Sequence, residues 1–165
     1  MLRETIEDAI RSLAHLLRLD SRREDDYQQW FESHPIVFQA LGYVDYSPHP
    51  EIPSEDRGTF IPDFVAKRPN QTWEIVELKT PSARILRNRN RRESFYASFE
   101  EYLSQCHEYS EAFDEADTRS NFCERYNIQF LNSRPSAILV AGVGADLDVP
   151  RLFRLCSRRQ PPISV

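Results

Sequence analysis

The sequence lacks any hydrophobic run long enough to cross a membrane, and its first residues lack the pattern of a secretory signal peptide. A membrane-spanning helix needs about 20 consecutive apolar residues. Hydrophobic residues make up 40% of the 165 residues and charged residues 28%, a balance typical of a soluble globular domain. These absences argue against a membrane protein, and the length predicts a single domain with its own core.

Cysteine is also scarce, and acidic residues outnumber basic ones. Cys106, Cys123 and Cys156 are widely spaced and odd in number, so they form no zinc-binding pattern and indicate a reducing, cytoplasmic environment. The formal net charge is −5 at pH 7, whereas nucleic-acid-binding domains usually carry a basic excess. Binding to nucleic acid would therefore depend on a local basic patch rather than on the charge of the whole chain.

Two carboxylates and a lysine stand in a strongly apolar part of the sequence. Asp63 is followed, fourteen residues later, by the motif Glu77-Leu78-Lys79. Residues 59–66 and 72–79 are rich in β-branched and aromatic residues, as strands are, and a Pro-Asn turn signal lies between them. The pattern predicts a β-hairpin that carries all three charged residues.

A hairpin closed at this turn places Asp63 opposite Glu77 or one residue away from it. Cross-strand neighbours lie about 5 Å apart, and side chains alternate along a strand, so Glu77 and Lys79 share one face. Unpaired carboxylates are costly to bury so close together, and a divalent cation removes that cost. Oxygen ligands favour Mg²⁺ or Mn²⁺ over zinc. The motif therefore predicts metal-assisted phosphodiester cleavage; the alternative is a solvated strand face with Asp63 capping a turn.

Helical and strand patterns alternate along the chain. The predicted helices are 3–19, a second one opened by a Ser21–Glu24 capping box, 36–41, 94–116 and 149–157. The other predicted strands are 43–53 and a fully buried 136–143, and 81–93 is a polar loop. A crossover helix before the last strand makes that strand parallel. We therefore expect an α/β domain with a mixed sheet, divided into N-terminal helices (3–41), a catalytic core (43–157) and a tail (158–165).

The residues and their order resemble the PD-(D/E)XK, or restriction-endonuclease-like, superfamily, with Pro62-Asp63 and Glu77-Leu78-Lys79 as the two halves of its motif. A closer resemblance, to the Shedu family of anti-phage defence nucleases, extends over most of the chain. The segments that carry it are Trp30-Phe31-Glu32-x-His34-Pro35, Pro62-Asp63-Phe64, residues 73–81, Gln105-x-x-x-Tyr109 and residues 137–142. It implies a restriction-endonuclease-like αβββαβ core with an extra N-terminal helix. A further strand and helix usually follow in that family, so the end at Val165 predicts a shortened relative or the core of a longer protein.

The motif and the resemblance assign roles to the site residues. Asp63 and Glu77 would bind Mg²⁺, which Mn²⁺ can replace, and the family implies the Leu78 carbonyl as a third ligand. Lys79 would orient the attacking water or stabilise the phosphate. The predicted catalytic residues are therefore Asp63, Glu77 and Lys79, together with Gln105.

Two helical residues extend the predicted site. The resemblance implies that Gln105 points at the site and helps to hold the attacking water or Lys79. Glu32 could reach the metal from the second helix, as an acidic residue does in some members of the superfamily. For both residues the alternative is a solvated position on a helix.

An arginine-rich segment follows the predicted catalytic strand directly. Arginine forks suit phosphate oxygens, so the segment predicts a track for the DNA backbone, with a solvated loop as the alternative. No pattern predicts base-specific contacts. The five residues are Arg84, Arg87, Arg89, Arg91 and Arg92.

The resulting hypothesis is a Mg²⁺-dependent DNA endonuclease or nickase in anti-phage defence. The alternatives are a nucleic-acid-binding module with an unused active site and a DNA-repair or junction nuclease of the same superfamily. We also expect a homo-oligomer, because strand 137–143 should lie at a sheet edge and a large apolar stripe follows the hairpin. The stripe consists of Phe95, Phe99, Tyr102 and Phe113.

Overall fold

The computed structural model describes residues 5–54, 57–89, 92–142 and 148–157. Its helices are α1 (Ile6–Arg18), α2 (Glu24–Ser33), α3 (Ile36–Ala40), α4 (Ala97–Ala112), α5 (Ala116–Arg125) and α6 (Val149–Cys156). Its strands are β1 (Asp45–Pro48), β2 (Ile52–Ser54), β3 (Gly58–Phe60), β4 (Phe64–Lys67), β5 (Trp73–Leu78), β6 (Leu86–Arg89), β7 (Arg92–Phe95) and β8 (Ser136–Val140). Within these ranges no helix is both long and apolar enough to cross a bilayer.

A four-stranded mixed sheet, in the order β1-β4-β5-β8, forms the centre of the fold. β1, β4 and β5 are antiparallel neighbours, whereas β8 runs parallel to β5 after the helical crossover through α4. The predicted α/β fold with a mixed sheet and a parallel last strand is therefore confirmed. β8 lies at the predicted edge, but it is not fully buried: Ala137 and Leu139 are buried while Ser136 and Val140 are exposed.

The strand predicted at 59–66 is divided in two. β3 pairs with β2 in a separate two-stranded sheet, and β4 begins only at Phe64. Pro62 has no N–H to donate to a ladder, which explains the break between the two strands. Asp63 consequently lies at the entrance to β4, where its carbonyl accepts a hydrogen bond from the His49 N–H at 2.9 Å.

The predicted polar loop at 81–93 is wrong, because β6 and β7 pair there as an antiparallel hairpin. Apolar residues at its base hold the hairpin to the core, where Ile85 and Phe95 are buried. α4 therefore begins at Ala97, later than predicted, and α5 occupies a stretch whose sequence carries no clear pattern. The predicted Ser21–Glu24 capping box is also wrong: α2 begins without a side-chain cap, and the Ser21 hydroxyl binds the Asp26 carboxylate.

Two hydrophobic clusters cover the two faces of the sheet. The larger one joins α4 to β5 and β8, and the smaller one joins α2 and α3 to β4 and β5. Phe95, Phe99 and Phe113 are all buried in the larger cluster. The expectation that these rings exceed the needs of one core is therefore wrong, since a single chain buries them, and the homo-oligomer stays a prediction.

Candidate active site

The register of β4 and β5 brings the two carboxylates of the motif together. Phe64 pairs with Val76 in an antiparallel ladder, so the next pair outward is Asp63 opposite Glu77. Asp63 Oδ2 accepts a hydrogen bond from the Leu78 N–H at 2.6 Å, which fixes the carboxylate against the end of β5. The predicted pairing across the hairpin is confirmed.

Glu77 is buried, with only 4% of its surface exposed. Its Oε1 accepts a hydrogen bond from Lys79 Nζ at 2.9 Å, but its Oε2 has no hydrogen-bond partner among the described residues. The Asp63 main-chain N–H lies near the carboxylate and lowers the pKa of Glu77, but no hydrogen bond joins it to Oε2. A buried carboxylate oxygen without a donor is rare, and a bound ion, an ordered water or a catalytic role is the usual explanation.

The electrostatics of the site show too little positive charge for two carboxylates. Burial, followed by the charge of Asp63, raises the pKa of Glu77 to about 7, although Lys79 acts in the opposite direction. Burial also raises the pKa of Asp63, although the Leu78 N–H and Lys79 act in the opposite direction. One ammonium therefore does not compensate two desolvated carboxylates, and a divalent cation would supply the missing charge.

Lys79 is held as an ammonium beside Glu77. Its side chain is 7% exposed, and Nζ donates to Glu77 Oε1 at 2.9 Å and to Glu24 Oε2 at 3.2 Å. Burial alone would lower the pKa of Lys79, but the hydrogen bonds and charges of Glu77 and Glu24 outweigh it and raise the pKa. This protonation state suits a residue that stabilises negative charge rather than one that removes a proton.

Sequence reasoning missed two residues of α2 that contact the site. Glu24 binds Lys79, and the buried Gln28 donates from Nε2 to the Asp63 carbonyl at 3.2 Å. Glu32 accepts a hydrogen bond from the same Nε2 at 2.9 Å and lies 3.6 Å from His49 Nδ1. Glu32 therefore contacts the two residues that bind the Asp63 carbonyl. Glu24, Gln28 and Glu32 are spaced by four residues and share one helix face, a spacing that could have indicated them together.

Gln105 lies on α4, where its Nε2 donates to the hydroxyl of Tyr109. Tyr109 is buried, and burial followed by the charge of Glu77 raises the pKa of its hydroxyl. The pair is therefore near the carboxylates, while the role predicted for Gln105 in holding water or Lys79 stays a prediction.

The donor set fits a cation with few protein ligands. Within the described ranges no group of three or more His, Cys, Asp or Glu side chains could hold a metal ion. Asp63 and Glu77 would therefore need a main-chain oxygen, such as the predicted Leu78 carbonyl, and water to complete a shell. Mg²⁺ commonly binds in this way, through one or two carboxylates and several waters.

The arginine-rich segment lies on the β6–β7 hairpin rather than on a loop. Arg84 is exposed just before it, with its guanidinium 5.9 Å from the centre of the Tyr96 ring. Arg87 is half-buried in β6. Arg89 and Arg92 pair opposite each other in the ladder, whereas Arg91 lies outside the described residues.

Comparison with known proteins places these features in a family. No curated protein matches the chain. The family model described as Shedu protein SduA, C-terminal, matches residues 21–159, a segment that contains α2, the β4–β5 hairpin, α4 and β8. Because this match covers most of the chain, the protein belongs to the Shedu SduA C-terminal family, as its sequence motifs predict.

Proposed function

We propose that this protein is a divalent-metal-dependent DNA endonuclease, or nickase, that acts in anti-phage defence. The observation that carries the proposal is the buried Glu77, whose Oε2 has no donor among the described residues, opposite Asp63 and beside the protonated Lys79. Membership of the Shedu family supports the role in defence. The antiparallel β1-β4-β5 run, followed by α4 and the parallel β8, supports a restriction-endonuclease-like core.

Mg²⁺, or Mn²⁺ in its place, is the proposed cofactor. Asp63 and Glu77 would hold it, with the Leu78 carbonyl as the third protein oxygen. A bound divalent ion makes water more acidic and neutralises the charge that develops on a phosphate. Hard oxygen donors select such ions over zinc.

The protein's own residues divide the remaining tasks. The Leu78 N–H orients Asp63, and the Asp63 main chain is fixed by His49 and Gln28. Lys79 carries a permanent positive charge in a site that excludes most solvent, where such a charge is most effective against a phosphate. Preorganised charge of this kind stabilises a pentacoordinate phosphate without reorganisation at the moment of reaction.

Incubation of supercoiled plasmid with the purified protein tests the proposal. We expect conversion to the open-circular form with Mg²⁺ or Mn²⁺ and none with EDTA. DNA binding without cleavage under any divalent ion would contradict the nuclease and leave the binding module with an unused site. Cleavage confined to branched substrates would instead identify a junction nuclease.

Binding to DNA should depend on the arginines of the hairpin region. The net charge of −5 disfavours DNA binding by the chain as a whole, so binding needs a local basic patch. Each phosphate contact contributes about one unit to the slope of log K against log salt concentration. Replacing Arg84 and Arg87 together by Ala should reduce that slope by about one to two units in fluorescence anisotropy titrations. Arg125→Ala serves as the matched control, because Arg125 is an exposed arginine of α5 that pairs with Glu51. A slope that changes equally in both variants would place the DNA track elsewhere.

A further inference from the structure

We propose that Glu24 is a positioning residue for Lys79, a role that rests on the proposed nuclease function. Glu24 is the first residue of α2 and is 55 residues from Lys79 in sequence, yet its Oε2 lies 3.2 Å from Lys79 Nζ. A helix that is remote in sequence therefore supplies a direct partner to the lysine of the motif.

The ammonium of Lys79 is held from three elements. It has three N–H donors, of which β5 provides an acceptor in Glu77 and α2 an acceptor in Glu24. The Tyr102 ring on α4 lies 5.0 Å from Nζ, within the range of a cation–π contact. Because the side chain is almost fully buried, these three partners rather than solvent determine where the charge is located.

Glu24 differs from Glu77 in having a single task. Under the proposed function Glu77 serves both the cation and Lys79, so its hold on Lys79 is shared. The Glu24 side chain is 43% exposed, and its described hydrogen bond is with Lys79 Nζ. Glu24 is therefore placed to hold Lys79.

The backbone of α2 is fixed well enough for this task. One turn after Glu24, Gln28 binds the Asp63 carbonyl, and the buried Trp30 donates from Nε1 to the Ser12 hydroxyl of α1 at 2.6 Å. These contacts connect α2 to both the site and the preceding helix. The position of Glu24 is consequently coupled to that of Asp63, which shares the same supporting helix.

The charge-neutral variant Glu24→Gln tests the inference by steady-state plasmid nicking. We expect kcat to fall about tenfold, because the amide removes the negative charge and leaves Lys79 Nζ with a weaker, neutral acceptor, while KM for DNA changes less than about twofold. Asp25→Asn removes the same charge from the same helical turn, where Asp25 pairs only with the exposed Arg23 among the described ion pairs, and it should retain wild-type kcat. Glu24→Asp, which keeps the charge, should restore part of the loss.

A double-mutant cycle identifies the residue through which Glu24 acts. In a Lys79→Ala background, Glu24→Gln should cause no further loss of kcat. Lys79→Arg, which keeps the charge, provides a second background if circular dichroism shows that Lys79→Ala is poorly folded. Wild-type kcat in Glu24→Gln, an equal loss in Asp25→Asn, or full additivity in both backgrounds would overturn the inference. An inactive wild-type protein would instead overturn the proposed function itself, so the two failures are distinguishable.

Discussion

Replacing Glu77 by Gln is expected to reduce plasmid nicking by at least about a thousandfold, since metal-ion catalysis contributes several kcal/mol to the barrier. The amide keeps an oxygen that accepts from Lys79 Nζ but removes the negative charge that a cation requires. It also removes a desolvated carboxylate, and Glu24 remains as a charged partner of Lys79, so the fold should be retained. Asp63→Asn should reduce nicking in the same way. Its amide oxygen can still accept from the Leu78 N–H, so the local structure should be retained.

Nicking rates are measured together with Mn²⁺ binding by isothermal titration and with circular dichroism. Glu101→Gln on α4 removes an exposed carboxylate outside the site and is the matched control. Loss of both nicking and Mn²⁺ binding in a folded Glu77→Gln variant would support the metal site. A variant that nicks within tenfold of the wild type would show that the ion is held elsewhere.

Replacing Lys79 by Met should destabilise the metal-free protein by about 3 kcal/mol at pH 8, because breaking one partner of a buried ion pair leaves the other uncompensated. Glu77 and Lys79 are both nearly fully buried and lie 2.9 Å apart. The reason for the choice of pH is the protonation of Glu77. Its pKa is raised in the folded protein, so folding favours the protonated form, and stability falls as pH rises from the unfolded value of 4.5 through about 7.

Loss of Lys79 removes a group that lowers the pKa of Glu77, so the fall in stability should extend to higher pH in the variant. At pH 5 Glu77 is mostly protonated in both proteins, and the difference should shrink below about 1 kcal/mol. Urea denaturation at the two pH values measures it. Lys67→Met, at a lysine of β4 whose side-chain Nζ lies 5.8 Å from the centre of the Trp73 ring, is the control.

The double variant Glu77→Gln with Lys79→Met should recover most of the loss at pH 8, because neither charge is then buried alone. A double variant as unstable as Lys79→Met would show that lost packing, and not the stranded carboxylate, causes the effect.

The local part of the site could be predicted from the sequence. Asp63 and Glu77 lie on one hairpin, and the turn between the strands determines their register. The parallel placement of β8 followed from the crossover helix in the same way. Both inferences use only the order and spacing of neighbouring elements, which a single sequence displays directly.

The remaining part depends on contacts between distant segments. Glu24 reads as an ordinary acidic residue in the first turn of a helix, and only the docking of α2 brings it to Lys79. The β6–β7 hairpin was missed because polar and charged residues at most of its positions conceal the alternation of a strand. The aromatic residues of α4 and β7 were misjudged because apolarity alone does not distinguish a core from an interface.

The order in which the site assembles during folding follows from where its parts lie in the chain. Asp63 and Glu77 are separated by a short hairpin, whose closure costs little entropy and occurs within microseconds. The contact between Glu24 and Lys79 closes a loop of 55 residues and requires α2 to dock on the sheet. We therefore expect the carboxylate pair to form early and the lysine to be fixed late, so that a partly folded chain carries an incomplete site.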